Sequence, residues 1–411
     1  MSGAAPFDGP LDLAHERNVQ DPFPLFAWLR ENEPVHWSES LGGFLVTRYD
    51  DVLEVFDRPQ DFSSDRFRLH PAQGEGGRAP VQAVSRVLRD WLVFRDPPDH
   101  TRLRALLQKS FTPRQLEKNR WGIQKTIDDL LDRVVGRGEM DFVRDFAFPL
   151  PALVICILLG VPTGDVPSIK LWSDRLASYL GGSIESPDTF AEAELGLKAL
   201  VDYFQQLTAE RRRTPRDDLM SLMLAAEHEG GRLSADEVVS NCILLLFAGH
   251  ETTTNLLGNG LHHLLRNPEQ ERRLRREPQA MRVAVEELLR YDAPVPATAK
   301  LARRDLEWQG VKLRRGDRVL PFMSSANRDP AAFPDPDALD VGRHPNRHLS
   351  FSFGIHFCLG APLARLESAL AFETLLRRLP ELSASPGRFK PRLFLRGLES
   401  LALRWDPARA R

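Results

Sequence analysis

The sequence predicts a mainly α protein of one domain with small β-sheets. Three observations carry that expectation. Helical periodicity dominates the chain, the strand-like runs are all short, and one periodic segment continues unbroken from Ser234 to Arg266. That segment holds roughly 33 residues and would reach about 50 Å at the standard helical rise, enough to cross the molecule.

Each element has a local reason. Asp21-Pro22 opens a helix that carries Phe26 and Leu29 to about Glu33. Short strands follow at Val35–Trp37 and Phe44–Thr47, and Asp50 is placed to cap a helix running to Phe56. From Ser63 to Asp90 the pattern is irregular, with Gly74, Gly76 and Gly77 in a polar stretch, which predicts a long functional loop. Amphipathic helices then fill Thr101 to Gly230, broken by Pro113, Pro149, Pro162, Pro187 and Pro215. Ser234 and Glu237 form a capping box for the long helix, which Asn267-Pro268 stops. A helix is expected from Pro278 to Tyr291, and short strands at Lys300–Leu306, Val311–Leu313 and Arg318–Pro321, the last two joined by a Gly-Asp turn. Asn327 to Arg347 is proline-rich coil, and a helix starts just after Cys358. No shift in composition marks a linker, so residues 1–411 are read as one domain.

Composition excludes several classes. The 411 residues are 42% hydrophobic and 27% charged with a net charge of -2, a globular balance without the basic field that nucleic acid or an anionic membrane requires. The three cysteines, Cys156, Cys242 and Cys358, lie far apart, as in a reducing compartment. Met1 to Pro24 lacks a cationic start followed by an apolar run, and Leu150–Val161 is too short to span a bilayer. A cytoplasmic protein with no membrane anchor is expected.

Chemistry concentrates at Phe351-Ser352-Phe353-Gly354-Ile355-His356-Phe357-Cys358-Leu359-Gly360. A cysteine at the mouth of a helix favours thiolate over thiol. Gly354 and Gly360 permit tight turns and close approach of a flat ligand, and Phe351, Phe353 and Phe357 can keep water from the sulfur. Taken alone, the loop also suits a buried structural cysteine, while a zinc site would need further ligands that neither His356 nor Cys358 has at zinc spacing. The loop resembles the haem-binding signature of the cytochrome P-450 superfamily, Phe-x-x-Gly-x-His/Arg-x-Cys-x-Gly. Phe351, Gly354, His356, Cys358 and Gly360 match its fixed positions.

Three more segments resemble that family in the right order. Ala248-Gly249-His250-Glu251-Thr252 in the long helix resembles its oxygen-activation motif. Small Ala248 and Gly249 leave room for dioxygen, Thr252 offers a hydroxyl, and Glu251 can relay protons. Without the cysteine loop, the same glycine and threonines would read as a weakened buried helix. His250 is given a structural or outward-facing role. Glu287-Leu288-Leu289-Arg290 resembles the Glu-x-x-Arg motif. On spacing alone it is an ordinary surface ion pair, whereas the resemblance implies a buried, architectural network with Arg343. Asp99 to Arg104 resembles the segment that holds the haem propionates, which implies His100, Arg104 and His356 as their partners. The sequence departs from the family by placing Lys300 where an arginine is common, and Arg303 is the rival for that position.

The resemblance implies the triangular, mainly α cytochrome P-450 fold, with haem b between the long helix and the cysteine-loop helix. It implies a monooxygenase with Cys358 as axial ligand of the haem iron. Ala248, Gly249, Lys300, Phe351 and Gly360 complete the cofactor contacts. No flavin or iron–sulfur segment is present, so electrons are expected from NAD(P)H through a ferredoxin and its reductase, with flavodoxin as the other carrier. Arg343, Arg347, Arg365, Lys109 and Arg114 are either a docking face for that acidic partner or merely solvated charges. A peroxide-driven enzyme of the same fold would not need Glu251 and Thr252. A haem sensor or electron carrier would fill the side that Ala248 and Gly249 open. The pocket is expected from Ser63–Phe94, Pro167 to Leu200, Leu244–Ala248, Pro294–Thr298 and Phe394–Leu395. It is largely apolar and suits a small lipophilic substrate, in a monomeric protein.

Overall fold

The computed structural model describes residues 9, 11–66, 79–108, 111–182, 189–228 and 233–410, with residues 79–83 and 113–116 as backbone only. Four helices position the site: α1 (Asp99–Leu107), α2 (Ala235–Leu265), α3 (Met281–Tyr291) and α4 (Ala361–Arg378). In α2 the Ser234 hydroxyl accepts from the Glu237 amide at 3.1 Å, and the Glu237 carboxylate accepts from the Ser234 amide at 2.8 Å. That reciprocal cap starts a helix of 31 residues, buried along almost its whole length. Arg102 of α1 reaches the same Glu237 at 2.5 Å, so the cap also ties α1 to α2.

The main sheet has five strands: β1 (Val35–Ser38), β2 (Gly43–Val46), β3 (Phe62–Ser63), β4 (Lys300–Ala302) and β5 (Arg318–Pro321), in the order β1-β2-β5-β4-β3. The β2–β5 pair is parallel and the others antiparallel. Pairing of Ser63 with Leu301 brings Ser64 alongside Lys300. A large apolar core lies among the helices, and a smaller one, with Val46, Phe62, Val319 and Met323, lies under the sheet. Among the described residues no helix is long and apolar enough to cross a membrane.

Several boundaries differ from those expected. The helix predicted from Asp50 begins at Tyr49 with Arg48 as its cap. Asp50 lies in the first turn, where a carboxylate meets the positive end of the helix. The stretch expected to be a loop to Asp90 contains a helix, Ala79–Arg89, and a short 3-10 turn, Leu92–Phe94, follows it. Val84, Val87 and Leu88 stand at helical spacing, with Val84 and Leu88 buried, a signal hidden by the glycines before it. Those glycines, Gly74, Gly76 and Gly77, lie outside the described residues, as do Lys109 and Pro187. The strand expected over Lys300–Leu306 is two strands in different sheets, Lys300–Ala302 and Leu306–Trp308.

Candidate functional site

Gly354 lets the cysteine loop turn: its φ is +67°, and a Cβ there would lie 3.1 Å from the Phe56 carbonyl. The Cys358 amide donates to the Phe351 carbonyl at 2.8 Å, which closes the loop. α4 then begins at Ala361, and the amides of Gly360 and Ala361 point at the Cys358 sulfur. Burial pushes the thiol above its ordinary value, while those amides and the charges of Arg104 and Arg365 pull it back towards thiolate. Gly360 leaves its side open, a Cβ there standing 4.0 Å from the sulfur. Of the three phenylalanines expected around the sulfur, only Phe351 is buried; Phe353 and Phe357 are 42% and 39% exposed.

In the middle of α2, Ala248 is exposed and Gly249 and Thr252 are half-exposed, although the helix is otherwise buried there. This turn therefore faces an internal opening. The Thr252 hydroxyl donates to the Ala248 carbonyl at 2.8 Å, so its oxygen keeps lone pairs for a second partner. A Cβ on Gly249 would meet Ile155 at 2.8 Å, which leaves no room for a larger residue. Glu251 is buried and paired with Arg392 at 3.1 Å. Arg392 also donates to the Ser178 hydroxyl, at 3.2 Å. His250 is wholly buried, hydrogen-bonded through Nδ1 to the Leu246 carbonyl, and turned from this opening towards Phe148. Its role is structural rather than outward-facing.

α1 and the cysteine loop bring His100 and His356 together, with ring centroids 4.3 Å apart. The Nε2 atoms of both are buried without a hydrogen-bond partner. Burial, followed by the charges of Lys300, His100 and Arg104, pushes His356 down to about 2. Burial, followed by Arg104 and Lys300, pushes His100 down to about 4. Arg104 donates to the Phe357 carbonyl at 2.7 Å. Lys300 is buried, donates to Ser64 Oγ at 2.6 Å, and is pushed by burial down to about 8. Arg303 instead forms an ion pair with Asp96.

Glu287 and Arg290 are both fully buried and face each other at 2.7 and 2.8 Å. Arg343 reaches Glu287 at 3.1 Å, and the Asp340 amide and Asn346 side chain supply two more donors, at 3.0 and 3.1 Å. Arg290 spends its other hydrogens on the carbonyls of Asn327, Pro336 and Ala338. The adjacent Glu286 pairs with Arg365 of α4 at 2.7 Å and with His348 of the cysteine loop at 3.1 Å. Two cations expected at a docking face or as solvated charges are thus paired with carboxylates of this chain. Arg343 binds Glu287, and Arg365 binds Glu286 and lies 4.6 Å over the Phe351 ring. Arg347 is exposed, while Lys109 and the Arg114 side chain lie outside the described residues. Arg392, Glu286, His348 and Arg66, the last 4.1 Å over the Phe94 ring, escaped the sequence reading because no short spacing links them to their neighbours.

The chain matches the family model of cytochrome P450 over residues 45–396. It is 39% identical over 392 residues to the polyketide biosynthesis cytochrome P450 PksS of Bacillus subtilis, which covers 93% of this chain and 95% of that one. Cytochrome P450 BioI, solved with an acyl carrier protein ligated to hexadec-9Z-enoic acid, superposes with a TM-score of 0.89 at 36% identity, over 95% of this chain and 99% of that one. A myxobacterial cytochrome P450 solved with myristic acid superposes with a TM-score of 0.87 at 36% identity, over 96% and 98%. Similarity of that extent reaches every element that builds the cysteine loop and the Ala248–Thr252 turn, and the chain belongs to the cytochrome P450 family of haem-thiolate monooxygenases.

Proposed function

We propose that this chain oxidises a small lipophilic substrate, with Cys358 as axial ligand of haem b and Glu251 and Thr252 handling protons. The observation that carries this reading is the opened turn of α2: Ala248, Gly249 and Thr252 keep accessible surface in the middle of a buried helix. The residues present fit the haem. Buried Nε2 atoms on His100 and His356 lack partners, and Arg104 and Lys300 stand beside them, a donor set suited to two carboxylates. Ala248, Gly249, Phe351 and Gly360 would border the ring, and Lys300 rather than Arg303 would meet a carboxylate, since Arg303 already has Asp96.

When bound, the thiolate-ligated haem supplies activation of dioxygen with cleavage of the oxygen–oxygen bond. The protein does the rest. The Gly360 and Ala361 amides point at the Cys358 sulfur and would stabilise it as the thiolate that ligates the haem iron. Thr252, its own proton committed to Ala248, accepts a hydrogen bond from the proton donor and orients it at the opening. Arg392 pairs with the Glu251 carboxylate and fixes its position, from which it would pass protons inward from the solvent side. The Glu287–Arg290–Arg343 network holds the coil before the cysteine loop. Electrons would come from NAD(P)H through a ferredoxin or flavodoxin and a reductase, to a single-domain, monomeric, cytoplasmic protein. The fatty acid and acyl group in the names of the two solved relatives support a lipophilic substrate.

Turnover under isotopically labelled dioxygen tests the reading. With reductant, ferredoxin and reductase, one labelled oxygen should enter each product molecule. Product formed only when hydrogen peroxide is supplied, or labelled only from water, would refute it.

A further inference from the structure

Most arginines around β3 and β4 have an acid: Arg58 pairs with Asp61, Arg303 with Asp96 and Arg304 with Asp61. Arg66 does not. Its Nε is buried without an acceptor, and no carboxylate reaches its guanidinium among the described residues. An unpaired buried cation costs several kcal/mol in general, so such a group is kept where something else neutralises it. Among the described residues, the charged neighbours that act on it are Arg318 and Lys300, both cationic. Burial lowers the guanidinium to about 10, which leaves it charged at neutral pH.

Its position is as informative as its charge. The guanidinium lies 4.1 Å over the Phe94 ring. Phe94 stacks on Trp91 at 5.9 Å and 3°, and Trp91 meets Phe247 at 6.0 Å. Phe247 immediately precedes Ala248. One cation and three aromatic rings thus form a continuous line that reaches Phe247, the residue before the opened turn of α2. Arg66 adjoins the histidine rim through Lys300, whose charge it opposes.

We propose that Arg66 anchors an acidic group of the substrate, so that this chain takes lipophilic carboxylic acids in preference to their neutral esters. The carboxylate would accept paired hydrogen bonds from the guanidinium, and the apolar chain would run along Phe94, Trp91 and Phe247 towards Ala248. The inference rests on the monooxygenase reading above and names the substrate class for that site.

The test uses haem-loaded protein, first checked for the red-shifted carbon monoxide band of a thiolate ligand. Tetradecanoic acid and its methyl ester are then titrated against the Soret band in the native protein, Arg66→Gln and Arg66→Lys. The native protein should bind the acid roughly tenfold or more tightly than the ester, since a hydrogen bond to a charged group is worth about one to two decades of affinity. Arg66→Gln should erase that preference and leave ester binding unchanged, and Arg66→Lys should retain part of it. Equal affinities for acid and ester in the native protein, or an Arg66→Gln variant that weakens both alike, would overturn the proposal. So would loss of haem from Arg66→Gln, which would make Arg66 a propionate partner. Absence of the carbon monoxide band in the native protein would instead refute the haem-thiolate reading, before any acid is added.

Discussion

Thr252 and Glu251 are neighbours in the chain but face different partners, so their substitutions should differ in kind. Thr252→Ala removes the oxygen that orients a proton donor at the opened turn. It should still consume reductant and dioxygen, releasing much of the latter as hydrogen peroxide while product per reductant falls several-fold. Glu251→Gln keeps an acceptor for Arg392 but loses the proton carrier, and should slow turnover by about a hundredfold with coupling retained. Measuring reductant consumed, peroxide released and product formed separates the two. Unchanged coupling in Thr252→Ala would pass the role to Thr253 or to the substrate. At this scale the sequence was legible where chemistry is local. Cys358, Glu251 and Thr252 sit at short fixed spacings, whereas Arg392 lies 141 positions from Glu251 and nothing in the chain announces the pair.

Helix α3 carries two adjacent carboxylates with separate tasks. Glu287 is fully enclosed by Arg290, Arg343, Asn346 and the Asp340 amide. Glu287→Ala would strand the buried Arg290 guanidinium and should cost about 3–5 kcal/mol, read as a lowered urea midpoint and poor haem retention. A stable, fully loaded variant would contradict the network's architectural role. Glu286 binds α3 to α4 and to the cysteine loop. Burial alone would raise it, but His348 and Arg365 hold it at about 2 against an ordinary 4.5. A depressed carboxylate stabilises the fold above the unfolded value and loses that contribution as pH falls through the folded one. Stability from Glu286, at most about 3 kcal/mol and reduced by solvent screening, should therefore be complete above about pH 4.5 and vanish towards pH 2. Arg365→Gln should flatten the loss across that window, seen in urea midpoints against pH. The capping box made α2 legible, because both of its partners are four residues apart or fewer. The helix at Ala79–Arg89 was not, because a glycine-rich approach masked a short apolar stripe.

Across the whole molecule, the sequence reading and the structure agree on a mainly α fold with small sheets, because long helices leave a periodic trace that survives tertiary context. What it could not place was the use of surface charge. The chain offers Arg365 only as a docking or solvated charge, yet the folded protein pairs it with Glu286, while Arg343 makes the Glu287 contact that the resemblance implies. Under the proposed ferredoxin supply, the exposed Arg347 is available for docking, and Arg347→Glu should weaken reduction by a ferredoxin without changing substrate binding. The catalytic expectations depend on one proposed bond, that between the Cys358 sulfur and the haem iron. The most direct measurement is the absorption of the reduced carbon monoxide complex in the native protein and in Cys358→His. The native protein should show the strongly red-shifted band of a thiolate ligand, and the variant should move it to the histidine-ligated position and lose monooxygenation. A native protein without that band, or a variant that keeps it, would contradict the assignment of Cys358.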